Sequence, residues 1–432
     1  MAARGVRHFI AATAALAVAA YIAIYSQPDF EQPIRSDGYS YYVYLPSVFI
    51  YHDITLEALA DDWYGGVYPD FTGIRRWPST GRWMNLHPIG TAILMMPFFL
   101  VSDALTRWSN LPRDGFSLYY QHGAALAGLA YFIAGLAILR HMLTRHFSDR
   151  IVLATLVCVT WGTNLFHYGV FDSAFSHAFA FFLVCSWLWL VEAWWRDPTL
   201  GRSSAIGAVA ALNILTRHTN AIYLLLLPLY GVTRRVDLRD RITAMWHRRS
   251  RLAIAAVVGL IVLAPQFALY KWITGQLVVN AYATHNMGFS FGSPHVIAVL
   301  FSTQKGLFFW SPVLLLSVFG AFVATPWAGQ FRTAAAVLFG TQTYLIASWA
   351  QWQFGASFGH RGFTDGFALA APFMASAFAW AARRPVARGI VTVGGAAAVL
   401  LSTAQMLQYW LRILPMIDTT WAQYRALFLR FR

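Results

Sequence analysis

Residues 88–102, PIGTAILMMPFFLVS, decide how the rest of the chain is threaded. The segment is apolar enough to enter a bilayer, yet it is shorter than the roughly 20 residues a crossing helix needs and carries Pro88 and Pro97. If it crosses, the arginine-dense stretch from Arg234 to Arg251 lies outside. If it stays in the outer interface as a re-entrant or juxtamembrane helix, that stretch lies inside.

Outward from this segment, apolar runs recur near 8–25, 119–139, 151–168, 174–195, 251–271, 306–325, 333–350, 366–382 and 389–411. With 58% hydrophobic and 12% charged residues, the composition excludes the soluble globular class. The run 204–231 carries Arg217 and His218 at its centre, so it reads as two short helices meeting at a polar turn, because a bare arginine in mid-bilayer is costly. The expected fold is an all-α polytopic membrane protein of about 11 transmembrane helices. It forms a single domain over 1–432, with a long first extracytoplasmic loop (26–118) bearing juxtamembrane helices, and C-terminal helices and tail over 366–432.

Charge chooses the threading. With 88–102 kept on the outer side, the inner side holds 18 Lys/Arg and 5 Asp/Glu, the outer side 14 Lys/Arg and 13 Asp/Glu. That asymmetry fits the positive-inside rule with the N-terminus in and the C-terminus out, and it accounts for the net charge of +14 without a nucleic-acid partner. Residues 6–25, preceded by Arg4 and Arg7, read as a retained signal anchor, since more hydrophobic spans follow. Cys158 and Cys185 fall inside apolar helices as small hydrophobes. Neither a nucleotide-binding P-loop nor a dinucleotide fingerprint occurs.

Acidic residues are scarce, so each one on the outer side is informative. Asp37, in RSDGYSYYVYLP, stands about ten residues beyond the first span, among Tyr39, Tyr41, Tyr42 and Tyr44 in a stretch expected at the interface. It reads as a base at the lipid surface or as a helix cap. Asp172, in FDSAFSHA with His177, reads either as a cap or as a polar contact facing Asp37 across a cavity. Arg217, in LTRHTN beside His218, is placed to grip a phosphate bidentately or to rest on backbone carbonyls. Lys305, in QKGLFFWSP, and His360 with Arg361, in FGHRGFTD, put cations at the outer rim next to glycines that allow close backbone approach. Together with Arg217 they suggest a cationic pocket. Trp77, Trp83, Trp349 and Trp352 on the outer loops either stack on a sugar or anchor the interface. No His-x-x-x-His or Cys-x-x-Cys spacing supports a metal centre, and no Gly-x-Ser-x-Gly elbow supports serine hydrolysis.

The order of SDGYSYYVYLPS, NLHPIGTAILMMPFFL, FDSAFSHAFAFFL, ILTRHTNAIYLLLLP, KGLFFWSPVLLL and FGASFGHRGFTD resembles the bacterial GT-C fold membrane glycosyltransferases over roughly residues 5–385. The resemblance implies an inverting transfer of a sugar from a polyprenyl-phosphate-linked donor to a glycan, lipid or protein acceptor on the periplasmic side of the bacterial inner membrane. It implies Asp37 as the catalytic aspartate, and Asp172, His177, Arg217, His218, Lys305, His360 and Arg361 as substrate-binding residues. No cofactor is expected. The chain departs from the family's pattern at His87-Pro88 and in having no second acid beside Asp37. A lipid-linked sugar flippase and an oligosaccharide ligase or polymerase are the rival readings.

Overall fold

The computed structural model describes residues 2–27, 32–285 and 287–431. Helices make up 70% of it, with strand confined among the described residues to one hairpin. Among the described residues, five helices are long and apolar enough to cross a membrane: His8–Tyr25, Leu118–Leu143, Ser176–Arg196, Arg249–Thr274 and Pro385–Trp410. The protein is an all-α membrane protein, because a bilayer leaves unbroken helices as the simplest way to satisfy a lipid-facing backbone.

The helices share two ends with opposite chemistry. At one end, Arg248 lies 5.4 and 5.1 Å from the Trp194 and Trp195 rings, Arg241 lies 4.4 Å from Trp195, and Arg196 donates to Glu192 at 2.7 Å. Arg234 to Arg251 is not an irregular loop there: most of it forms the Arg235–His247 helix. At the other end, Tyr21 Oη lies 2.6 Å from His122 Nδ1 and Tyr25 Oη donates to the Phe171 carbonyl at 2.6 Å. This second end gathers Asp37, Asp172, Arg217 and Arg361.

The segment that decides the threading forms the Gly90–Arg107 helix. Gly90 abuts the backbone of Leu215 and Thr216, where an added Cβ would sit 2.3 Å from the Leu215 carbonyl carbon. Farther along, Ser102 Oγ donates to the Tyr119 carbonyl at 2.9 Å, and Tyr120 Oη donates to Asp103 at 2.7 Å. Both ends of the helix are therefore pinned at the Arg217 end of the bundle.

The split expected within 204–231 is present. Leu200–Thr216 stops at Arg217, and the chain continues as a 3-10 helix, His218–Leu225. A 3-10 stretch hydrogen-bonds its carbonyls poorly. Trp187 and Trp195, eight residues apart on one face of the Ser176–Arg196 helix, donate their indole N–H groups to the Tyr223 and Leu227 carbonyls at 2.7 and 2.8 Å. Two other runs are more broken than their hydrophobicity suggests. The run 151–168 divides into Asp149–Trp161 and Leu165–Val170, and the run 306–325 into Leu307–Trp310 and Leu315–Phe322 with a 3-10 turn between them. Polar Thr163-Asn164 and Ser311-Pro312 make these breaks.

The first loop carries its own core. Short helices Asp37–Tyr42, Tyr44–Phe49 and Glu57–Tyr64 and the antiparallel hairpin Ile74–Arg76 with Trp83–Asn85 pack Tyr39, Tyr42, Tyr44, Leu59 and Trp83 against Met95, Phe99 and Tyr120. The four tyrosines expected in an interfacial belt are buried instead, at 5, 5, 1 and 6% exposure for Tyr39, Tyr41, Tyr42 and Tyr44. Trp83 and Trp352 are likewise buried, so neither offers an open face to a sugar.

Candidate functional site

Asp37 opens a six-residue helix directly after Ser36, whose φ of 46° lies in the left-handed region that serine rarely adopts. Such backbone is held where packing over-determines it, and here it aims the first side chain of the helix. Asn85 fastens this helix to the hairpin by donating to the Ser40 carbonyl at 2.8 Å and accepting from the His87 N–H at 3.0 Å. The His87 ring then lies over Tyr41, with centroids 4.2 Å apart.

Arg361 begins the 3-10 turn Arg361–Gly366, and Asp365 sits four residues on in the same turn. The turn delivers a cation and an anion to one place. Arg361 donates to Asp37 Oδ2 at 2.8 Å, its guanidinium 5.8 Å from each of the Phe175 and Phe354 rings. Arg217 Nε lies 3.5 Å from Asp365 Oδ2, while its Nη1 donates to His177 Nδ1 at 2.8 Å. Since a guanidinium can only donate, that contact requires an unprotonated Nδ1 on His177. Asp365 Oδ1 also lies 3.2 Å from the same ring nitrogen.

Asp172 sits one layer back. Its Oδ1 accepts from Arg35 at 2.8 Å and its Oδ2 lies 2.9 Å from His167 Nε2, while His167 Nδ1 accepts from the Trp410 indole at 2.8 Å. Both oxygens are thus engaged, and the expected open contact facing Asp37 is an internal anchor for Arg35.

The expected open cationic pocket is accordingly a row of ion pairs: Arg361 with Asp37, Arg217 with Asp365, and Arg35 with Asp172. Lys305 does not join the row. Its ammonium, 2% exposed as a residue, donates to the carbonyls of Ser357 and Met416. It fastens the loop before His360 and Arg361 to the C-terminal segment, and burial pushes its pKa down to about 7. Lys305→Met leaves the buried Ser357 carbonyl without its Lys305 donor, while the Met416 carbonyl keeps the Ser357 N–H at 3.3 Å. We expect it to destabilise the protein by about 1–3 kcal/mol, read as a lower thermal midpoint in detergent; an unchanged midpoint would refute this role.

His218 is exposed and turns to Tyr270, with Nε2 3.3 Å from the phenol oxygen, leaving Arg217 to face the cleft without it. His360 is 2% exposed between Phe354 and Phe363, and neither ring nitrogen has a partner. Burial and the nearby Lys305 and Arg361 charges push its pKa to about 3, so it stands as a neutral ring behind Arg361.

Burial would raise the Asp37 pKa, but Arg361, with smaller help from His87, His177 and Arg217, holds it below the usual carboxylate range. Burial dominates at His87 and lowers it to about 4, giving a neutral imidazole whose Nδ1 lacks a partner. At neutral pH the site therefore presents an ionised carboxylate, two fixed guanidiniums and an uncharged imidazole. Groups of three or more metal-ligating side chains are absent among the described residues.

Asp365, His87 and Arg35 were not among the expected site residues, His87 having been noted only as a departure from the family's pattern. Asp365 was the most findable, being one of few outer acids and four residues from Arg361 in GHRGFTD. His87 and Arg35 gain their meaning only from contacts across the fold. No protein-family model, curated protein or solved structure matches the chain.

Proposed function

We propose that the protein is an inverting membrane glycosyltransferase of the GT-C kind, moving a sugar from a polyprenyl-phosphate donor to an acceptor on the extracytoplasmic side. The observation that carries this reading is Asp37. It is a carboxylate 30% exposed, ionised, and set beside Arg361 and Arg217 at the end of the bundle opposite the arginine-rich helix.

The proposed threading takes eleven passes, with Gly90–Arg107 kept at the site end as a juxtamembrane helix. The arginines at the far end then face the cytoplasm of a bacterial inner membrane, and the site faces the periplasm. In the proposed reaction Asp37 takes the proton of an acceptor hydroxyl as that oxygen bonds to the anomeric carbon. The bond from that carbon to the phosphate oxygen breaks with its electron pair, and polyprenyl phosphate leaves. Arg361 and Arg217 stabilise the charge that grows on the departing phosphate, as fixed donors do best. With so good a leaving group, one carboxylate suffices where a glycosidase needs two.

The test is reconstitution of purified protein in liposomes with polyprenyl-phosphate-linked sugars and candidate acceptors. Transfer with inversion at the anomeric carbon is expected. Movement of the donor across the bilayer without transfer would overturn the reading in favour of a flippase.

A further inference from the structure

The three ion pairs of the cleft differ in how firmly each carboxylate is held. Asp172 is 8% exposed and divides its oxygens between Arg35 and His167. Asp365 is 1% exposed and is held by burial beside Arg217 at 3.5 Å. Asp37 is 30% exposed, and Arg361 is its one side-chain partner among the described residues. The guanidinium of that pair is the fixed half: Arg361 is 14% exposed, with an aromatic ring on two sides. Asp37, the more exposed partner at the first position of a short helix, is the releasable half.

A guanidinium fork suits a phosphate at least as well as a carboxylate, and one fork cannot serve both bidentately. We propose that Asp37 and the phosphate of the ligand compete for Arg361, so that an arriving phosphate takes the guanidinium and releases the Asp37 carboxylate. This rests on the reading above that the cleft binds a polyprenyl phosphate. In the empty cleft the base is latched to Arg361. When the donor's phosphodiester occupies Arg361, the carboxylate is free for the acceptor hydroxyl. Asp37 thus opposes ligand binding and serves turnover. A merely structural aspartate paired with Arg361 would do only the first.

The test is a titration of polyprenyl phosphate, without sugar, into the purified full-length protein in detergent. Asp37→Asn is expected to bind about five- to tenfold more tightly than wild type, a factor of ten being about 1.4 kcal/mol. Arg361→Gln is expected to bind more weakly than wild type, and adding Asp37→Asn to it should bring no further gain, because the competition has already been removed. Asp37→Ser, which removes charge and shape together, should tighten binding as well and guards against a folding defect in one variant. Equal affinity in wild type and both Asp37 variants would overturn the latch while leaving the donor reading intact. Absence of binding in wild type and variants alike would overturn the donor reading and the latch with it.

Discussion

Asp37→Asn is expected to lose about 10² to 10⁴ in the rate of sugar transfer, the range for removing a positioned proton acceptor. The amide keeps the shape of the carboxylate, so the Asp37–Tyr42 helix and its Asn85 tie remain, while the site no longer has a group to take the hydroxyl proton. The loss should fall on kcat, with the KM for the lipid donor unchanged or lower. A rate equal to wild type from correctly folded protein would remove Asp37 from the chemistry. The pH profile carries a related signature. Because Arg361 holds the free carboxylate below its ordinary range, Asp37 stays ionised across neutral and mildly acidic pH. An acid limb in kcat/KM between pH 5 and 7 therefore has to come from another group.

Asp365→Ala is expected to be the most destabilising change in the cleft. Asp365 is 1% exposed and is the carboxylate paired with Arg217, itself 14% exposed, so its removal leaves that guanidinium with only the His177 ring nitrogen as a partner. Breaking a buried pair from one side costs about 3–5 kcal/mol, which should appear as a markedly lower thermal midpoint and loss of saturation by the lipid donor. Asp365→Asn, which keeps the shape but not the charge 3.5 Å from Arg217, should recover part of the midpoint while donor use stays impaired. If Asp365→Ala melted like wild type and saturated with donor normally, the pairing would be fictitious.

The course of the helices was legible where apolar runs are long and unbroken, as at Leu118–Leu143 and Ser176–Arg196. The turn at Arg217 was legible too, because the cost of a charge in hydrocarbon is a local property of the sequence. What was not legible depended on partners distant in the chain. Lys305 looks like a rim cation until Ser357 and Met416 arrive with their carbonyls. The tyrosines after Asp37 look interfacial until the Glu57–Tyr64 helix and the hairpin cover them. Asp172 looks free until Arg35 and His167 claim both its oxygens. In each case the residue type was read correctly as polar or aromatic, and its surroundings were supplied mainly by contacts 52 to 137 residues away or by a loop with no periodicity of its own, with His167, five residues from Asp172, the one near neighbour.

The matching of each cleft arginine to an aspartate has an environmental consequence. Opposite charges a few ångströms apart cancel within far less than a Debye length, which is about 8 Å at physiological ionic strength, so dissolved ions find little net field there to screen. A site organised in this way keeps its geometry as the ionic strength around it rises and falls.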